Sequence, residues 1–164
     1  MEIVMEIGHW HWDQAIIDAL LAALPAAGFA MIFNVPRQAL KFCALGGALT
    51  YSFRAFLMQG FDVSIGLATF VAATLMGILG VFWSRRHWMP RPVYTVPAII
   101  PMIPGTYAYE TMITLVSMSE HGASDELVAR FLTNGVHTLS ILFAITFGLA
   151  IPSLHYFRRR HPVI

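Results

Sequence analysis

Charged residues are scarce in this chain. Only 12% of its 164 residues are Asp, Glu, Lys or Arg, whereas 57% are apolar. A soluble domain carries about twice that fraction of charged residues. The composition therefore excludes an ordinary soluble protein and predicts an integral membrane protein. Its length predicts a single membrane domain, residues 1–164, with no room for an additional soluble domain.

Cysteine and the common catalytic motifs are also missing. Cys43 is the single cysteine, which excludes an internal disulfide and a Cys-based metal site. The chain has no His-Glu-x-x-His, no Gly-x-Ser-x-Gly and no phosphate-binding glycine loop with a lysine. His9 and His11 are flanked by tryptophans, a pattern typical of the membrane interface rather than of a metal site. We expect no enzymatic activity, no cofactor or metal, and no nucleic-acid partner.

Long apolar stretches are what the chain does have. Five of them are long enough to cross a hydrocarbon core of about 30 Å, which predicts an all-α protein with five transmembrane helices. The predicted spans are residues 14–35, 40–60, 63–84, 93–118 and 127–156. In the third span, Ala73, Gly77 and Gly80 offer a smooth face for close helix packing. Pro152 is expected to interrupt the fifth span late.

The basic residues orient these spans. Eight of the ten Lys and Arg residues fall on one side of a five-helix arrangement. They are Arg37, Lys41, Arg85, Arg86, Arg91, Arg158, Arg159 and Arg160. Basic residues mark the cytoplasmic side, so we expect the N-terminus outside the cell and the C-terminus in the cytoplasm, in the inner (plasma) membrane. Residues 1–6 lack the basic region of a signal peptide, so the first span is expected to be retained.

The fourth span contains a run of helix breakers. Pro97, Pro101, Pro104 and Gly105 cannot form one uninterrupted helix, since each proline lacks an N–H and clashes with a preceding carbonyl. A broken helix persists in lipid only where protein or a polar cavity satisfies the freed backbone groups. Transporters build substrate sites at such breaks. The alternative is a proline kink that only shapes helix packing.

The helix that resumes after this break favours an anion. If it restarts at Thr106, its free N–H groups and positive dipole end point at the gap near the middle of the membrane. The hydroxyls of Thr106, Tyr107 and Tyr109 add hydrogen-bond donors. This arrangement predicts a site for a small carboxylate.

Several other polar residues lie within the spans. Arg54 is either a ligand or ion-pair partner, or it extends outward to the interface. Glu110 lies at a similar depth, so it is expected either to pair with Arg54, with a role in stability or gating, or to carry protons. Asn134 and His137 share one face of the fifth span, where His137 is either a packed residue or a proton relay. Asp18 lies near the outer interface and is expected to be solvated.

Four motifs stand out along the chain. They are the segment 25–36 with Phe33-Asn34-Val35-Pro36, the segment 100–105 with Ala108-Tyr109 after it, Thr133-Asn134, and the segment 148–152. Together these motifs resemble those of the threonine/serine exporter (ThrE) family. The resemblance covers nearly the full length and includes Arg54 and the basic tail. It is closer still to the short, stand-alone C-terminal-type subunits of that family.

This resemblance implies one half of a secondary exporter that acts with a second membrane subunit of the same family. Family members export threonine and serine, and the split pairs export succinate. Since all of these substrates carry carboxylates, we expect binding at Arg54, Asn134 and the broken segment, namely at Pro101, Pro104, Gly105, Thr106 and Tyr107. Glu110 departs from the family pattern, in which a neutral residue stands there.

Two further expectations concern assembly and energetics. Five helices are few for a two-sided pathway, so a partner subunit or self-association within the lipid is expected, and transport is expected to use an ion gradient. The alternative function is that of a non-transporting subunit that stabilises or regulates a membrane complex.

Overall fold

The structure is a computed structural model in which residues 12–160 are described, with side chains described for residues 15–154. The His9 and His11 motif therefore lies outside the described residues. Between residues 12 and 160 the regular structure is entirely helical, in six α-helices and one 3₁₀ turn, which confirms the all-α class. The helices are α1 (Trp12–Ile32), α2 (Arg37–Phe61), α3 (Ile65–His87), α4 (Pro92–Ile99), α5 (Gly105–His121) and α6 (Asp125–Arg160), and the 3₁₀ turn is Ile100–Met102.

The helices are joined by short turns with recognisable stop signals. Asp62 and Trp88 follow α2 and α3 with φ values of 49° and 55°, in the left-handed region that ends helices. Gly122, with a φ of 84°, follows α5. Pro92 opens α4, a position where its missing N–H costs nothing. These turns make consecutive helices close neighbours.

Helix α2 lies at the centre of the bundle. It packs against α1, α3, α4 and the 3₁₀ turn. Helices α3 and α6 form the most extensive pair, and α5 packs chiefly on α6. The short α4 is wedged between α2 and α3, so the segment that follows it reaches the middle of the bundle.

Glycines make the closest of these helix contacts possible. Ala73, Gly77 and Gly80 are all buried, which confirms the predicted close-packing face of α3. A Cβ placed on Gly77 would lie 3.3 Å from the Gly148 carbonyl oxygen of α6, and one placed on Gly80 would collide with Thr95 of α4. Small residues of this kind let helix backbones approach in a membrane.

Helix α6 does not stop at Pro152. The helix continues through this residue to Arg160, so the predicted late interruption is wrong. The proline ring lies over the glycine face of α3, because a Cβ on Gly77 would lie 3.0 Å from its Cγ. A small residue opposite the ring leaves space for it against α3.

Two buried clusters form the core. The first contains Ala39, Met76, Trp83, Tyr94 and Ala98. The second contains Ala72, Ala73, Met102, Ile141 and Ile145, with Tyr51 and Tyr107 packed at its edge. Because Met102 belongs to the 3₁₀ turn, the second cluster anchors the broken segment to α3 and α6.

Replacing Tyr94 by phenylalanine is expected to stabilise the protein. The Tyr94 side chain is fully buried, and its hydroxyl has no hydrogen-bond partner within the described chain. An unsatisfied buried hydroxyl costs about 1–3 kcal/mol, so Tyr94→Phe should raise the unfolding temperature in detergent, followed by tryptophan fluorescence. Tyr94→Ala, which also removes the ring from its contacts with Trp83 and Phe42, should lower it. A loss of stability in Tyr94→Phe as large as that in Tyr94→Ala would contradict this prediction.

Within residues 12–160, three helices are long and apolar enough to cross a membrane. They are Ala15–Ile32, Ile65–His87 and Asp125–Leu154, which match the first, third and fifth predicted spans. The second predicted span corresponds to α2, and the range of the fourth holds α4, the 3₁₀ turn and α5.

Candidate functional site

The candidate site is built around the segment between α4 and α5. Regular α-helix ends at Ile99, Ile103 is extended, and α5 begins at Gly105. The turn is closed by the Ile103 N–H donating to the Ile100 carbonyl at 3.1 Å and by the Gly105 N–H donating to the Ile103 carbonyl at 2.8 Å. Neither bond uses the Met102 carbonyl, which in a continuous helix would accept from the N–H four residues later.

Arg54 supplies the missing donor. Its Nη1 donates to the Met102 carbonyl oxygen at 3.1 Å, across 48 residues of sequence. Its guanidinium carbon also lies 5.1 Å from the centroid of the Tyr51 ring one turn earlier, a cation–π distance. Arg54 is half-buried, so it turns toward the broken segment as a ligand of the backbone. A guanidinium has five N–H donors, of which this carbonyl takes one.

Arg54 and Glu110 do not form an ion pair. Glu110 is exposed on α5, and the ion pair seen among the described side chains joins Arg130 to Glu126 at 2.7 Å. The Arg54–Glu110 pairing is therefore wrong. The physical reason is that Arg54 contacts the turn before α5, whereas Glu110 lies on α5 with its side chain outside the bundle. A role for Glu110 in proton transfer stays a prediction.

Tyr107 and His137 are brought together beside this turn. Their ring centroids are 5.2 Å apart, and Tyr107 packs on the cluster that contains Met102. Asn134 is half-buried one turn before His137, and its carbonyl accepts from the Thr138 hydroxyl at 2.8 Å. No hydrogen bond joins Asn134 to Arg54 within the described residues.

The remaining predicted residues divide between interior and surface. Pro104 is buried and Pro101 is half-buried, so both prolines belong to the wall of the bundle. Gly105 and Thr106 are exposed, and a Cβ added to Gly105 would meet nothing within 4 Å. The N-terminus of α5 thus lies at the surface of this chain, while Arg54 binds the carbonyl side of the break.

Asp18, which was expected to be solvated near the outer interface, also lies in this region. Asp18 is half-buried and lines a cavity of about 240 Å³ between α1, α2 and the 3₁₀ turn. The other lining residues are Leu21, Ala22, Pro25, Tyr51 and Pro101. A signal for this position was present in the sequence. Asp18 lies more than one turn inside α1, seven residues before Pro25 of the same helix.

A larger cavity, of about 410 Å³, lies between α5 and α6. Its lining is almost wholly apolar, with Met112, Phe131, Leu132 and Val136 among the residues. A cavity without convergent polar groups does not orient a small carboxylate. The polar groups described above lie instead around Arg54, Tyr51 and the broken segment.

Comparison with known protein families found a match over most of the chain. The family model described as "Threonine/Serine exporter, ThrE" matches residues 18–155. That range contains the break, Arg54 and Asp18. The chain belongs to the threonine/serine exporter family. Since this is a family of transporters, membership supports a membrane transport protein rather than an enzyme.

One relative of this exporter-family chain is a longer protein. An uncharacterized protein of Haemophilus influenzae is 44% identical over 149 residues, which are 91% of this chain and 50% of that protein. The chain therefore spans half the length of this relative. No solved structure matches the chain.

Proposed function

We propose that the chain is a membrane subunit of a secondary exporter of small carboxylates, either succinate-type dicarboxylates or threonine and serine. It works with a second membrane subunit of the same family. The observation that carries this proposal is the guanidinium of Arg54, held against the Met102 carbonyl at the broken segment. Family membership over residues 18–155 supports the transport role.

The position of Arg54 suits carboxylate binding. The planar guanidinium matches a carboxylate with two parallel N–H donors, and its charge is worth more in a low-dielectric surrounding than in water. The bond to Met102 and the contact with the Tyr51 ring fix the orientation of the group before the substrate arrives. Tyr107 packs on the same cluster as Met102 and Tyr51. Its ring contacts that of His137, so these two residues supply polar groups on the α5 and α6 side.

The proposed topology has five spans, with the N-terminus outside and the C-terminus in the cytoplasm. Helix α2 has 25 residues, or about 37 Å, enough to cross the membrane. Its polar residues are compatible with a membrane because α1, α3 and α4 surround it. Helices α4 and α5, with 8 and 17 residues, form the fourth span, and the break lies about 12 Å from the start of α4.

A second subunit is supported by length and by chain architecture. The relative from Haemophilus influenzae is twice as long as the aligned region, so in that protein further residues are covalently attached to the equivalent of this chain. Helix α5 packs chiefly on α6, and a side of α5 away from the cavity between these two helices exposes Tyr109, Ile113 and Val116. We propose that a homologous subunit, or a second copy of this chain, completes the pathway on this side.

The test is efflux of labelled succinate, and separately of labelled threonine, from cells that carry the chain, the second family subunit of the same genome, or both. Efflux that requires both subunits is expected, and the labelled compound that is exported identifies the substrate. Efflux by the second subunit alone would contradict the proposal and make this chain a non-transporting stabilising or regulatory subunit. Membrane expression is matched by immunoblot in all arms.

A further inference from the structure

The cavity beside Asp18 has walls that suit a small cation. Its volume of about 240 Å³ holds several waters at about 30 Å³ each. Asp18 contributes a carboxylate and Tyr51 a phenol oxygen. Pro25 has no N–H, so the Leu21 carbonyl lacks its partner within α1, and both residues line the cavity. Three residues that carry a side-chain oxygen or an unpaired helix carbonyl therefore line one small space.

Asp18 is the residue with a carboxyl group that lines this cavity. Tyr51 from α2 is the other titratable residue of the lining, and the 3₁₀ turn contributes Pro101 but no charge. The Arg54 guanidinium contacts the Tyr51 ring and donates to the Met102 carbonyl. Tyr94, the titratable residue of α4, lies in the other core cluster. A carboxylate within a membrane-spanning helix is costly unless a cation or a proton neutralises it.

The donor set also limits which cation fits. Oxygen ligands suit hard cations rather than the soft metals that prefer sulfur or imidazole. Divalent ions usually take more than one carboxylate, whereas no group of three or more His, Cys, Asp or Glu residues occurs within the described residues. One carboxylate with neutral oxygens matches a single positive charge.

We propose that Asp18 binds the coupling cation of this exporter, a monovalent ion that is either Na⁺ or a proton. The proposal rests on the proposed export function. Tyr51 lines the cation cavity and also supports the Arg54 guanidinium, while Pro101 lines the cavity and precedes the Met102 carbonyl that Arg54 binds. The cation cavity and the carboxylate site thus share a wall, so occupation of one changes the geometry available to the other.

The experiment compares the wild type with Asp18→Asn and Asp18→Glu in proteoliposomes, with the second subunit included where efflux requires it. Glu120→Gln, an exposed carboxylate at the end of α5, is the matched control. Binding of ²²Na⁺ is measured on the reconstituted protein. Transport of labelled succinate or threonine is measured twice, as counterflow without a cation gradient and as net transport driven by a Na⁺ or pH gradient. Matched gel-filtration profiles establish that each variant is folded.

We expect Asp18→Asn to retain counterflow but to lose gradient-driven transport, and Asp18→Glu to recover part of it. If the ion is Na⁺, the wild type binds ²²Na⁺ and Asp18→Asn weakens this binding more than about tenfold. If it is a proton, ²²Na⁺ does not bind and only the pH-driven transport is lost. The control should match the wild type in every assay.

Two results would overturn the cation site. One is an Asp18→Asn variant that equals the wild type in both transport modes and in ²²Na⁺ binding. The other is an equal loss of counterflow and gradient-driven transport, which would place Asp18 in substrate binding or folding. Absence of wild-type counterflow would instead refute the proposed function. The cation site would then survive only if the wild type binds ²²Na⁺ and Asp18→Asn weakens that binding, and absence of ²²Na⁺ binding would overturn it.

Discussion

Arg54→Ala is expected to abolish export while leaving the chain in the membrane. At substrate concentrations below saturation, efflux should fall about 100-fold, because a desolvated charge pair is worth about 3 kcal/mol. The measurement is the initial rate of labelled succinate or threonine efflux at matched expression. The substitution also affects the fold, because the Met102 carbonyl loses its hydrogen bond from the Arg54 N–H. This structural effect is separate from the loss of substrate binding.

Arg54→Lys separates the contribution of Arg54 to substrate binding from its contribution to the fold. Lysine keeps the charge but lacks the planar pair of donors, so the apparent KM should rise while the maximal rate changes less. Arg130→Ala is the control, because Arg130 is exposed and pairs with Glu126 on one helix face, an interaction that contributes little to stability. If Arg54→Ala exports at the wild-type rate, Arg54 is a structural ligand of the broken segment and the carboxylate site lies elsewhere.

Gly148→Ala is expected to destabilise the bundle strongly for so small a change. The added Cβ would lie 2.8 Å from both the Ala73 Cβ and the Phe70 carbonyl oxygen on α3. Backbone atoms cannot rotate away, so α3 and α6 must separate, and overpacking of this kind costs about 1–3 kcal/mol. We expect a lower unfolding temperature in detergent and a lower yield of monodisperse protein.

Gly28→Ala provides the matched control. It makes the same chemical change within a helix, but an added Cβ there meets nothing within 4 Å. Since alanine favours helix by up to about 1 kcal/mol over glycine, Gly28→Ala should leave stability unchanged or raise it. Equal effects of the two substitutions would show that the α3–α6 contact is looser than the structure indicates.

Much of the helical framework could be predicted because its signals are local. The all-α class follows from the length of the apolar runs, and three helices that satisfy the length and hydropathy of a membrane span coincide with predicted spans. Helix α2 does not satisfy the same criteria, and it packs against α1, α3, α4 and the 3₁₀ turn. Hydropathy alone cannot distinguish a shielded helix of this kind from a surface helix.

The candidate site was predictable only in part. Arg54 and the prolines of the broken segment stand out in sequence because each is unusual in an apolar helix. Asp18 did not stand out, since its position near a helix start fits ordinary solvation equally well. The pairing of Arg54 with Glu110 was wrong because equal depth in a membrane does not specify which faces of two helices meet.

By itself, the sequence determined those properties that depend on neighbouring residues. They are the helices, the glycine face of α3, the lack of a continuous hydrogen-bond ladder around Pro101 and Pro104, and membership of the exporter family. The tertiary structure alone decided which distant groups meet. Arg54 reaches the Met102 carbonyl across 48 residues, and Asp18 shares a cavity with Tyr51 and Pro101. Such contacts depend on the rotation and crossing of packed helices, which no local rule of sequence specifies.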